Sequence, residues 1–290
     1  MDLSLRPELG KDYSSRSQRT RVFSEAWATE NMYCPACDSE TLSPERTGTK
    51  VVDFRCSSCV EKYQLKSQAR RLGNQVRDAA YEPLAQEITS NSAPNFLFMH
   101  YDAREWQVRN LLLVPRHFLS LSTIMKQNPL RETAQRHGHI LCNIILSRLP
   151  MDARIRIVSE GNVVPPDVVR NEWRRYRFLR EERHGERGWT ADVLACVRRI
   201  RRRVFTAKEF YAEFSRELAN LHPDNRHVKD KIRQQLQVLR DKGILRFAER
   251  GTYRQIRWCP ECGHDLILSV PTEGIRQPLS CPKCGVSLWA

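Results

Sequence analysis

One cysteine spacing occurs twice in the chain, Cys-x2-Cys-x18-Cys-x2-Cys, at Cys34, Cys37, Cys56 and Cys59 and again at Cys259, Cys262, Cys281 and Cys284. Two Cys-x2-Cys pairs at this separation can deliver four thiolates tetrahedrally to one zinc ion, each pair forming a tight knuckle. The spacing therefore predicts two structural zinc ribbons. Eight of the 10 cysteines belong to these sets. Together with the absence of an N-terminal apolar stretch, this favours metal over disulfides and a reducing cytoplasm as the setting. Cys142 in "HILCNIIL" and Cys196 in "DVLACVRR" stand among apolar residues and are expected to be buried packing cysteines.

Chemistry is threaded through the first ribbon. Asp53 lies just before the second knuckle, and Gln64-Leu65-Lys66 lies just after it. If that knuckle is the turn of a hairpin, "VVDFRC" and "KYQLKS" become paired strands. Alternation then puts Gln64 and Lys66 on one face, where Asp53 can join them. Metal-dependent phosphodiester cleavage needs oxygen ligands for Mg2+ and a cation that orients the attacking water and offsets developing charge. Asp53, the Gln64 side-chain oxygen and the Leu65 carbonyl are the candidate Mg2+ ligands, and Lys66 is the candidate cation. The competing reading of Asp-x10-Gln-x-Lys is an exposed strand ion pair of little value.

With 48 Lys and Arg against 34 Asp and Glu, the net charge is +14, which points to a polyanionic partner. The basic residues are not paired with an exposed apolar stripe, so a membrane surface is the weaker candidate. Along the chain, "SQRTRVFSEAWATE" has helical spacing, residues 67 to 90 read as a polar helical stretch, and "NFLFMHY" and "WQVRNLLLVPRHFL" read as strands joined at "DARE". "RIRIVSEGNVVP" predicts a strand, a turn at Glu160-Gly161 and a short return. A helix should begin after the two prolines of "PPDVVRNEWRRYRFLR". The charged, glycine-punctuated "REERHGERG" marks a domain boundary between residues 1–182 and 189–256.

Beyond that boundary, helices are expected at about 190 to 202, from Thr206 with a Thr206/Glu209 capping box, and at about 226 to 242. The third buries Val228, Ile232, Leu236 and Leu239 on one face and precedes two short strands around Arg250-Gly251, an arrangement that makes a winged helix. Arg226, Lys229, Lys231, Arg233 and Gln234 lie off the apolar face near the N-terminal end, where a recognition helix presents residues to base edges, and Arg250 and Arg254 would sit on the wing. The cluster Arg198 to Arg203 combines cation attraction to a helix C-terminus with a second use in phosphate contact.

Over residues 1 to about 255 the chain resembles the DpnI-like, Dam-replacing family. The residues that carry the resemblance include "SEAW", "YCPAC", "VVDFRCSSC", "YQLKS", "NPLRETAQRHG", "CNIILS", "RGWTADVL" and "KDKIRQQLQVLRDKGILRF". It implies an α/β PD-(D/E)xK nuclease domain with an embedded zinc ribbon, followed by an α+β winged helix. It also implies cleavage of double-stranded DNA at GATC sites bearing N6-methyladenine, with Asp53, Gln64 and Lys66 in the catalytic positions and Glu25 on a further family acid. Two residues depart from the family pattern. Gln64 replaces a glutamate, removing a negative charge from the metal site, and His139 replaces a tryptophan that would help read the methylated base.

The resemblance stops near the wing. Residues 257–290 are an added ribbon, too short to build a core without zinc, and read as a module for docking DNA or a partner. The expected protein is thus a Mg2+-dependent, methyl-directed type II endonuclease with two structural zinc ions. Its rivals are a nuclease without methyl dependence, suggested by His139, and a zinc-containing DNA-binding regulator with a decayed site, suggested by Gln64.

Overall fold

The computed structural model describes residues 1–45, 51–130 and 138–256, together with two short strands at 279–280 and 287–288. Two compact units divide the chain, Met1–Gly188 and Trp189–Ala290. Among the described residues no helix is long and apolar enough to cross a membrane.

The first unit has an early helix, α1 (Arg16–Asn31), and is built on a seven-stranded sheet. In sheet order the strands are β1 (Ser43–Pro44), β2 (Phe54–Arg55), β3 (Lys62–Gln68), β5 (Asn95–Asp102), β6 (Gln107–Val114), β9 (Ile155–Ser159) and β10 (Asn162–Val163). A second sheet of three antiparallel strands contains β4 (Gln75–Ala80), β7 (Ile124–Pro129) and β8 (Ile140–Ile145), in the order β4-β8-β7. Helix α2 (Tyr81–Thr89) follows β4 directly, and α3 (Pro166–Arg175) and α4 (Phe178–Glu181) close the unit.

Alternation organises the central strands. Tyr63 and Leu65 of β3 share a buried cluster with Leu97 and Met99 of β5 and with Phe23 and Trp27 of α1. Phe96 and Phe98 therefore take the opposite face of β5, where their rings stack 5.6 Å apart. β3 and β5 run parallel, with Gln64 beside Phe96 and Lys66 beside Phe98. Glu61 pins the start of β3. Its buried carboxylate accepts from Asn95 at 2.9 Å and pairs with Arg116 at 3.2 Å and Arg180 at 2.9 Å.

The β5–β6 hairpin, the β9–β10 turn at Glu160-Gly161 and the helix beginning at Pro166 lie where the sequence places them. Residues 67 to 90 do not form the expected single helix. Gln75–Ala80 is a strand paired with β8, and only Tyr81–Thr89 is helical. That pairing is with a distant segment, which a local pattern does not reveal. The boundary segment "REERHGERG" is itself partly helical, because α5 (His184–Arg199) begins inside it. Tertiary contact replaces apolar periodicity there. Arg187 is 2% exposed and donates to the Ile88 carbonyl at 3.0 Å and to Asn91.

In the second unit, α5 continues into β11 (Val204–Thr206), α6 (Ala207–Leu221), α7 (Val228–Asp241), β12 (Leu245–Glu249) and β13 (Thr252–Gln255), with sheet order β11-β13-β12. The Thr206/Glu209 capping box is present, with Glu209 N–H donating to Thr206 Oγ1 at 3.1 Å and Thr206 N–H to Glu209 at 2.7 Å. Ile232, Leu236 and Leu239 are fully buried, whereas Val228 at the helix start is half-buried. The last strands, β14 (Leu279–Ser280) and β15 (Ser287–Leu288), pair antiparallel.

Candidate active site and zinc centre

The second knuckle is the turn of a hairpin: β2 and β3 pair antiparallel, Phe54 with Tyr63 and Arg55 with Lys62. Both knuckles close alike, Cys34 N–H on the Ser39 carbonyl and Cys56 N–H on the Glu61 carbonyl, each at 2.9 Å. The ligand atoms of Cys34, Cys37, Cys56 and Cys59 all lie within 4.8 Å of one another. Cys34 and Cys59 sulfurs are 3.6 Å apart, as are those of Cys37 and Cys56. Zn–S bonds of about 2.3 Å in a tetrahedron separate the sulfurs by about 3.8 Å, so the cluster fits zinc. Burial pushes the Cys34 thiol up to about 11, and a zinc ion held by the four sulfurs would supply the charge that keeps it as thiolate. Cys259, Cys262, Cys281 and Cys284, the expected second set, lie outside the described residues.

The zinc centre and the candidate catalytic strand are joined by hydrogen bonds. The Tyr63 hydroxyl lies 3.2 Å from Cys34 Sγ, and the Tyr63 carbonyl accepts from Asp53 N–H at 2.9 Å. Asp53 immediately precedes β2 and lies beside β3, where Leu65 N–H donates to its carboxylate at 2.8 Å. Burial pushes the Asp53 carboxyl above the usual carboxylate range, opposed by that hydrogen bond and by the charge of Lys66. Gln64 is 7% exposed, and its side-chain oxygen is buried with no hydrogen-bond partner among the described residues. An orphaned oxygen on the strand edged by Asp53 fits a hard cation.

Glu25 is half-buried on α1, bonded to Arg21 at 2.6 Å. Its carboxyl is raised by burial and further by the charge of Asp53, which places this helix acid in the electrostatic neighbourhood of the site. Lys66 shares the Gln64 face, and its ammonium pairs with Asp78 of β4. Asp78 is a partner of the candidate site that sequence pattern alone misses, because it arrives from the second sheet.

Cys142 and Cys196 are both buried, as expected. His139 is exposed, and its carbonyl accepts from Leu130 N–H at 2.9 Å; residues 131–137 beside it lie outside the described residues. On α7 and the hairpin, Lys229, Arg233, Gln234, Arg250 and Arg254 are exposed, as is Arg226 just before the helix. Lys231 is half-buried and donates to Gln234 at 3.0 Å. The arginine cluster is committed more internally than expected. Arg198 donates to the Ile256 carbonyl at 3.0 Å, Arg199 grips Glu217 with both terminal nitrogens, and Arg202 pairs with Glu209 at 3.0 Å.

Comparison with known families matches residues 1–182 to the Dam-replacing family represented by DpnI. It matches residues 185–255 to the Dam-replacing helix-turn-helix domain. The chain therefore belongs to the DpnI, or Dam-replacing, family of restriction endonucleases and carries that family's DNA-binding helix-turn-helix domain.

Proposed function

We propose that the chain is a Mg2+-dependent type II endonuclease that hydrolyses double-stranded DNA at GATC sites containing N6-methyladenine. In this reading it uses a PD-(D/E)xK site in residues 1–182 and a winged helix in 189–256. The observation that carries the reading is the orphaned Gln64 oxygen on the strand flanked by Asp53 and Lys66, inside the family's nuclease region.

Asp53, the Gln64 side-chain oxygen and the Leu65 carbonyl would hold the Mg2+, with Asp53 anchored by Leu65 N–H. Bound there, Mg2+ supplies Lewis-acid polarisation of the scissile phosphate. Lys66 orients the attacking water and offsets charge that develops as the phosphodiester bond breaks. Buried surroundings strengthen both effects relative to bulk water. The zinc ribbon holds the hairpin that presents Asp53 to β3, and the second four-cysteine set binds a second structural zinc. Helix α7 and the β12–β13 hairpin supply cations for phosphate and base contact, and His139 supplies a flat ring near the methylated base. The eight cysteines in Cys-x2-Cys pairs support a reducing cytoplasm as the setting.

Digestion of Dam-methylated and unmethylated copies of one plasmid, with Mg2+ present, tests the proposal. Cleavage of the methylated copy alone is expected. Equal cleavage of both would make it a nuclease without methyl dependence, and binding without cleavage would make it a regulator.

A further inference from the structure

Lys66 does not end in open solvent. Its ammonium meets Oδ1 of Asp78, whose side chain is 3% exposed against 22% for that of Lys66. Asp78 lies on the side of β4 that also buries Val76, and it stands opposite Cys142, itself fully buried, on β8. The pairing then shifts, Ala80 facing Leu141, so β4 accommodates one extra residue immediately after Asp78. Bulges of this kind redirect side chains and gather beside active sites.

A carboxylate this far from water is costly unless a cation answers it. Packing against Cys142 asks for no charge, and an apolar side chain would fill the position at lower cost. Position 64 contributes an amide here, so Asp78 is a second carboxylate in a motif that carries one.

We infer that Asp78 is a positioning residue for the nuclease reaction: its carboxylate fixes the Lys66 ammonium on the Gln64 face and restores the negative charge that an amide at position 64 leaves out. The inference rests on the proposed role of Lys66. A lysine ends in a compact ammonium on a flexible four-carbon stem, and an anchored ammonium is already in place when the phosphate arrives. Loss of the anchor should therefore lower the rate of the bound complex and leave DNA affinity unchanged.

The test uses full-length, zinc-loaded protein and a methylated GATC duplex. Single-turnover cleavage at saturating DNA and Mg2+ is measured alongside duplex affinity without Mg2+. Asp78→Asn keeps the shape and removes the charge; it is expected to slow cleavage by about tenfold to a hundredfold, with affinity within about twofold. Asp78→Glu, which keeps the charge, should cut faster than Asp78→Asn. Should Asp78→Asn fail to fold, Asp78→Ser takes its place as the neutral variant. A neutral variant that cuts within about twofold of the parent, or that outpaces Asp78→Glu, overturns the inference. Lys66→Ala separates the two failures. If it cuts at the parental rate, the nuclease-site reading itself is wrong; if it is inactive while Asp78→Asn is fully active, only the role of Asp78 is wrong.

Discussion

In the proposed metal site Gln64 puts a neutral oxygen where a second carboxylate would bind a cation more strongly, and that oxygen is buried without a partner among the described residues. An amide oxygen is a competent ligand for a hard cation, but affinity follows the charge count of the ligands. Gln64→Glu is therefore expected to keep cleavage and to lower the Mg2+ concentration for half-maximal rate by about tenfold, read from a Mg2+ titration. Lys66→Ala should abolish cleavage while duplex affinity stays within about threefold, because the proposed role of Lys66 is on the water and the transition state. Normal cutting by Lys66→Ala would remove the site from this strand. The relation of Gln64, Leu65 and Lys66 was legible in the sequence, since a period of two on a strand decides which side chains share a face. Asp78 was not, because "QVRDAA" has no clear apolar alternation and becomes a strand only by pairing with the distant β8.

Among the elements, the ribbon hairpin was the most legible, because four cysteines at fixed spacing leave one way to close the knuckles. "REERHGERG" was the least legible: α5 begins inside it, with Arg187 buried on Asn91 and Ile88, an interaction no helical period announces. The second knuckle holds one strained position. Val60 has φ +55°, a left-handed conformation that β-branched residues resist, and its side chain is 63% exposed. Left-handed backbone costs an ordinary residue about 1–2 kcal/mol, and glycine relieves it while losing about 0.5–1 kcal/mol of unfolded-state entropy. Val60→Gly should thus stabilise the zinc-loaded protein by about 0.5–1 kcal/mol, seen as a higher denaturant midpoint at unchanged slope. A lower midpoint would mean that the packing of the exposed valine outweighs the strain. In the proposed reading, with one structural zinc for each four-cysteine set of the sequence, metal analysis of chelator-washed protein should find about two zinc ions per chain. A value near one would leave the 259–284 set without metal.

On the scale of the whole molecule, the nuclease region and the helix-turn-helix region both belong to a DNA-cutting family, and the chain carries a net charge of +14. Charge supplies affinity without sequence preference, so methyl selectivity has to come from pockets. One methyl group in one apolar pocket is worth about 1–3 kcal/mol, roughly tenfold to two-hundredfold. Two independent readers multiply these factors, which gives a nuclease with a second DNA-binding unit an advantage that one pocket lacks. Replacing Arg226, Lys229 and Arg233 together by alanine removes exposed cations at and beside the start of α7 without touching its buried face. The triple variant should bind duplex more weakly, and the slope of log affinity against log salt should flatten by about 0.9 for each phosphate that is no longer neutralised. If the second unit reads the methyl group, the ratio of methylated to unmethylated cleavage at low DNA concentration should fall to the one-pocket level of about tenfold to two-hundredfold, while the rate on saturating methylated DNA is kept. An unchanged ratio alongside weakened binding would place all methyl selectivity in the catalytic unit and leave the second unit as an electrostatic anchor.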